Sequence, residues 1–91
     1  MENELQDRVA IITGAAGGIG SRIAKAYSHA GACVVLASRN QQNLEAIAEE
    51  IRSSGGQVLV VPTDVTQPEA VENMVARAID TFNRIDVMIN N

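Results

Sequence analysis

Val9-Ala10-Ile11-Ile12-Thr13-Gly14-Ala15-Ala16-Gly17-Gly18-Ile19-Gly20 reads as a strand, a glycine turn and the start of a helix. The apolar, β-branched run Val9 to Ile12 suits a strand buried on both faces, which means a parallel sheet. After Gly14 a helical period takes over, with Ile19, Ile23, Ala26, Tyr27 and Ala30 spaced i, i+4, i+7, i+8, i+11. The glycines therefore fall where a strand ends and a helix begins. Backbone N–H groups at such a helix N-terminus, helped by the helix dipole, bind anions such as a pyrophosphate. Gly14, Ala16, Gly17, Gly18, Ile19 and Gly20 are the expected cradle. The same glycines would equally make a tight turn that binds nothing, and their spacing is not G-x-G-x-x-G.

Outward from this stretch the remaining elements follow in short alternation. The first helix should run to about Ala30 and stop at a left-handed Gly31. Ala32 to Ser38 is a second buried strand. Asn40 is placed to cap a second helix with the apolar face Leu44, Ile47, Ala48, Ile51, ended by Ser53-Ser54-Gly55-Gly56. Gln57 to Pro62 is a third strand. Thr66-Gln67-Pro68-Glu69 has capping-box spacing before a third helix, whose face is Val71, Met74, Val75, Ala78, Ile79 and Phe82. Val87 to Ile89 is a fourth strand, and Met1 to Asp7 is a polar lead-in anchored by Leu5.

The pattern β-α-β-α-β-α-β with short links predicts an α/β, Rossmann-like doubly wound parallel sheet of strand order 3-2-1-4. Residues 1–91 would form one domain. The direction reverses between strands 1 and 4, so Thr13-Gly14, Ser38-Arg39, Asp64-Val65 and Asn90-Asn91 should converge on one ligand. This order puts the first two helices on one face and the third on the other. It leaves strand 4 as an unprotected edge, so the chain is expected to be cut short.

Composition narrows the classes. Apolar residues at 46% and charged residues at 20% place the chain among ordinary globular proteins. A net charge of -4 with scattered basic residues argues against nucleic acid. No stretch approaches the roughly 18 apolar residues of a membrane span, and the acidic N-terminus carries no leader pattern, so a cytoplasmic location is expected. The single cysteine, Cys33, excludes an intramolecular disulfide and reads as a buried, inert thiol. His29 and Tyr27 read as surface or helix-packing residues, Glu45, Glu49 and Glu50 as a wet helix face. No Cys/His cluster suggests a metal.

At the strand ends the chemistry becomes specific. A carboxylate about 20 residues beyond the glycines commonly binds a ribose 2'-hydroxyl, whereas arginine accommodates a 2'-phosphate. Ser38-Arg39-Asn40 stands there, with no acid, so NADP(H) is expected over NAD(H). A charge-assisted bond from Arg39 would contribute about 1.5 to 3 kcal/mol, roughly 10- to 150-fold; a solvated arginine is the plain alternative. Asp64 can accept from an adenine amino group while Val65 supplies an apolar contact, or Asp64 can instead stabilise a turn before the third helix. Asn90 and Asn91 are unusual after an apolar strand and need partners if buried.

Leu5 with Arg8 to Gly20, then Ser38-Arg39, Asp64-Val65 and Ile85-Asp86-Val87-Met88-Ile89-Asn90-Asn91 together resemble the short-chain dehydrogenase/reductases, in their N-terminal cofactor-binding part only. Thr13-Gly14-x-x-x-Gly18-x-Gly20 fits the compact branch, and Thr13-Gly14-x-x-Gly17-x-x-Gly20 the extended, epimerase-like branch. Asn90-Asn91 decides for the compact one. The resemblance implies an oxidoreductase moving hydride between NADP(H) and a small-molecule carbonyl or alcohol, in a homo-oligomeric whole protein. The Ser, Tyr, Lys and Asn that handle the proton in that family lie beyond Asn91, so no catalytic residue is expected among residues 1–91 and the chain alone should be silent. A stand-alone dinucleotide-binding or interaction module is the competing expectation.

Overall fold

The computed structural model describes residues 4–91; Met1 to Asn3 of the polar lead-in lie outside the described residues. The elements are β1 (Val9–Thr13), α1 (Gly18–His29), β2 (Cys33–Ser38), α2 (Gln41–Ser53), β3 (Val58–Pro62), α3 (Pro68–Phe82) and β4 (Val87–Asn90). They build a four-stranded sheet of order β3-β2-β1-β4, every pair parallel. This is the Rossmann-like order expected from the alternation.

Both faces of the sheet are covered at β1 and β2, which is why those strands are apolar along their length rather than alternating, while Met88 on the edge strand β4 is 42% exposed. Ile12, Val34 and Leu36 pack with Ala24 of α1 and with Leu44, Ile47, Ala48 and Ile51 of α2. Val9, Ile11, Val35, Ala37 and Val61 pack on the other side with Met74 and Ala78 of α3. Register is fixed by Ile11↔Val35 and Ile12↔Leu36 on one flank of β1 and by Ile11↔Met88 and Ile12↔Ile89 on the other.

Two helix faces differ from the expected stripes. In α1 the buried residues are Gly20 and Ala24, flanked by half-buried Ile23 and Tyr27, while Ile19 is 66% exposed and Ala26 is exposed. Small residues let α1 lie close on the sheet, and that close approach turns Ile19 outward. In α3 the buried residues are Met74 and Ala78, while Ile79 is 41% exposed. The α2 face is as expected, and Asn40 Oδ1 accepts from Asn43 N at 3.1 Å as its N-cap. Gly31 (φ +101°) follows α1 as the left-handed stop.

The sheet's N-terminal end carries a clamp that sequence reading missed. Val9 N donates to Asp86 Oδ2 at 2.8 Å and Asp86 N donates to the Val9 carbonyl at 2.9 Å. Arg84 adds two bonds to the same carboxylate, 2.8 Å to Oδ2 and 2.6 Å to Oδ1, and Arg8 lies 3.5 Å from Oδ1. These donors, Arg84 first and then the Val9 amide, hold the Asp86 pKa down at about 2. The clamp fixes where β4 starts beside β1, and hence where its far end, Asn90-Asn91, arrives.

Candidate functional site

The turn from β1 into α1 is built by backbone. Gly14 takes φ +64°, Ala15 N donates to the Ala37 carbonyl at 3.2 Å and Gly17 N to the Gly14 carbonyl at 3.3 Å. Helix α1 begins at Gly18 with Gly17 as N-cap and no side-chain capping bond. Its first amides thus lack the side-chain acceptor that α2 has in Asn40, and the positive end of the helix dipole is open to an anion.

The glycines divide into two kinds. A Cβ at Gly20 would run into the Gly14 carbonyl oxygen and lie 2.8 Å from Asn91 Nδ2 and 2.9 Å from Ala15 Cα. At Gly18 it would meet nothing within 4 Å, and at Gly17 only the Gly14 carbonyl oxygen at 3.7 Å. Packing explains Gly20. It does not explain Gly18, the first residue of α1.

Beside the turn a cleft of about 210 Å³ is lined by Thr13 and Gly14, by Ser38 and Arg39, by Thr63 to Thr66, and by Asn91. Three of the four expected strand ends line it in full and the fourth through Asn91. Asn90 stays outside, exposed and in register with Thr13. Ala16, Gly17, Gly18, Ile19 and Gly20 border the helix start rather than the cleft, with Ala16 half-buried and Gly20 buried. Asn40 also lies off the cleft lining, its Oδ1 spent on the α2 cap. Thr63 and Thr66 also line the cleft, although the sequence marked neither as a ligand-facing residue.

Most polar atoms in the cleft are already engaged. Thr13 Oγ1 donates to the Ile89 carbonyl and accepts from Asn91 N, both at 3.3 Å. Asn91 Nδ2 donates to the Gly14 carbonyl at 3.2 Å, Ser38 Oγ accepts from Asn40 N at 3.1 Å, and Thr63 Oγ1 donates to the Val61 carbonyl at 2.8 Å. Asp64 Oδ1 accepts from Thr66 Oγ1 at 2.6 Å and from Thr66 N at 3.0 Å. Asp64 thus does stabilise a turn, and the capping box is absent: the Thr66 hydroxyl is drawn to Asp64, Gln67 becomes the N-cap without a side-chain bond, and Pro68 opens the helix. The Thr66 hydroxyl, its amide and the charge of Arg39 all hold the Asp64 carboxyl below its ordinary value.

Among the groups left for a ligand are an acceptor and a cation. Asp64 Oδ2 has no donor among the described residues, and Arg39 is exposed and forms no ion pair among them. A molecule suited to this cleft carries an N–H donor and an anionic group, and a further anion reaching the start of α1.

A second, polar cavity of about 260 Å³ opens near the strand starts, between the ends of α1 and α2, and holds His29 and Cys33. Cys33 is half-buried rather than buried, its thiol 3.8 Å from Gln57 Oε1, because β2 begins there and only one side is covered. Burial, then Asp7, raise its pKa, so it stays a thiol. No helix among the described residues is long and apolar enough to cross a membrane, and they contain no group of three or more metal-ligating side chains.

Among known proteins, the family profile described as short chain dehydrogenase matches residues 8–91. An uncharacterised oxidoreductase of Mycobacterium tuberculosis is 40% identical over 87 residues, covering 96% of this chain and 33% of that protein. A hydroxysteroid dehydrogenase from Escherichia coli superposes with a TM-score of 0.94 at 33% identity, covering 99% of this chain and 38% of the other. A citronellol catabolism dehydrogenase of Pseudomonas aeruginosa gives 0.95 at 33% identity, covering 100% and 38%. The chain spans about a third of the length of the curated relatives it matches.

Proposed function

The chain belongs to the short-chain dehydrogenase family, and on that premise we propose that it forms the dinucleotide-binding part of an NADP(H)-dependent oxidoreductase acting on a carbonyl or alcohol. The observation that carries this reading is the pairing of an uncapped α1 N-terminus, floored by a glycine that packing does not require, with an unpaired Arg39 across the cleft.

Each part of the site has a binding task in this reading. The turn Gly14 to Gly20, including Ala16, Gly17, Gly18 and Ile19, offers backbone amides to the pyrophosphate. Arg39, with the free hydroxyl hydrogen of Ser38 and Nδ2 of Asn40, holds the 2'-phosphate. Asp64 Oδ2 accepts from the adenine amino group and Val65 lies against the ring. Asn91 keeps β4 closed on the Gly14 turn, with Asn90 beside it. NADP(H), when bound, supplies or accepts the hydride. The proton-handling groups would come from outside residues 1–91, since the one tyrosine, Tyr27, has Gly31 and not lysine four residues on. Homo-oligomeric assembly, a cytoplasmic location and a small-molecule substrate complete the proposal.

Isothermal titration of the chain with NADPH tests it. Saturable binding at one site, competed by pyrophosphate, is expected; absence of any heat up to millimolar NADPH rejects it.

A further inference from the structure

Resting on that reading, we infer that Thr66 is a positioning residue that sets which purine base the cleft accepts. Among the described residues Asp64 is the one carboxylate lining the cleft, and Thr66 takes its Oδ1 twice, through the hydroxyl at 2.6 Å and the amide at 3.0 Å. A carboxylate oxygen has about two lone-pair sites, so Oδ1 is filled and Oδ2 is left as the acceptor for a ligand. The hydroxyl bond is the shorter of the two and joins two side chains, so it fixes the carboxylate's rotation as well as its charge. An ionised, acceptor-only Oδ2 rewards a base bearing an exocyclic amino group, as adenine does, and meets a carbonyl oxygen with repulsion in hypoxanthine. Without the Thr66 hydroxyl the carboxylate keeps only the amide bond at 3.0 Å, turns more freely about χ2 and presents a less fixed acceptor.

The role predicts a selective effect. The chain should bind NADPH at least tenfold more tightly than its hypoxanthine analogue, deamino-NADPH, in line with the loss of a bond to a charged acceptor. Thr66→Val and Thr66→Ala should each bring that ratio to within about twofold, and Thr66→Ser should restore it. Thr66 is exposed and ahead of α3, so two replacements of different size guard against a local folding fault.

An unchanged ratio in both Thr66→Val and Thr66→Ala would overturn the inference while leaving dinucleotide binding intact. Equal weakening of both dinucleotides in the two variants would overturn it as well, since a merely structural role acts on both alike. Failure of the unaltered chain to bind either dinucleotide would reject the cofactor reading itself, and the inference with it.

Discussion

Asn91 and Gly14 hold each other across the ends of the two neighbouring strands β4 and β1. Asn91 Nδ2 donates to the Gly14 carbonyl at 3.2 Å, and a Cβ on Gly14 would stand 2.9 Å from the Asn91 carbonyl oxygen. The β1–α1 turn and the end of β4 are therefore one unit.

This relationship separates glycines that fold the chain from one that packing does not require. Gly14→Ala places a side chain at φ +64° against backbone, and Gly20→Ala drives one into the Gly14 carbonyl. Each should lower stability by about 1 to 3 kcal/mol, read by urea unfolding. Gly18→Ala meets open space, so it should leave stability unchanged or raise it by up to about 1 kcal/mol while weakening NADPH binding at least tenfold. Equal destabilisation by Gly18→Ala and Gly20→Ala would refute the division.

Acid should release the clamp at the other end of the sheet. The Asp86 carboxyl is held at about 2 by Arg84 and the Val9 amide, below its value of about 3.9 in an unfolded chain. Its contribution is complete above about pH 4 and fades as pH falls through about 2, because the unfolded chain takes up the proton first. Asp86→Asn should flatten the fall in stability between those limits. An identical slope in the variant, measured by urea midpoints from pH 5 to 2, would count against the clamp.

Removal of the α2 cap offers a plain check on local structure. Asn40→Ala loses the acceptor for Asn43 N and should cost about 1 kcal/mol, seen as a lowered thermal midpoint. A midpoint equal to that of the unaltered chain would mean the cap contributes nothing.

The strands, their order and the α2 face were legible because buried runs such as Ala10-Ile11-Ile12 and the period of Leu44, Ile47, Ala48 and Ile51 carry strong apolar signals. The contact face of α1 was not, since Gly20 and Ala24 bury closely while adding little hydrophobicity, so the eye follows Ile19 instead. At the cleft, Arg39 and Asp64 could be read from their places after strands. Thr66 was assigned to a capping box because spacing alone does not reveal that Asp64 competes for its hydroxyl. Asp86 joins Val9 across 77 positions, and nothing local announces that bond.

The central claim is the use of Arg39 to read a 2'-phosphate, and the most direct measurement is the ratio of NADPH to NADH affinity in the unaltered chain and in Arg39→Asp. The account predicts a preference for NADPH of roughly tenfold or more that reverses toward NADH in the variant, as loss of a charge-assisted bond and gain of repulsion require. The same ratio in both proteins would contradict it.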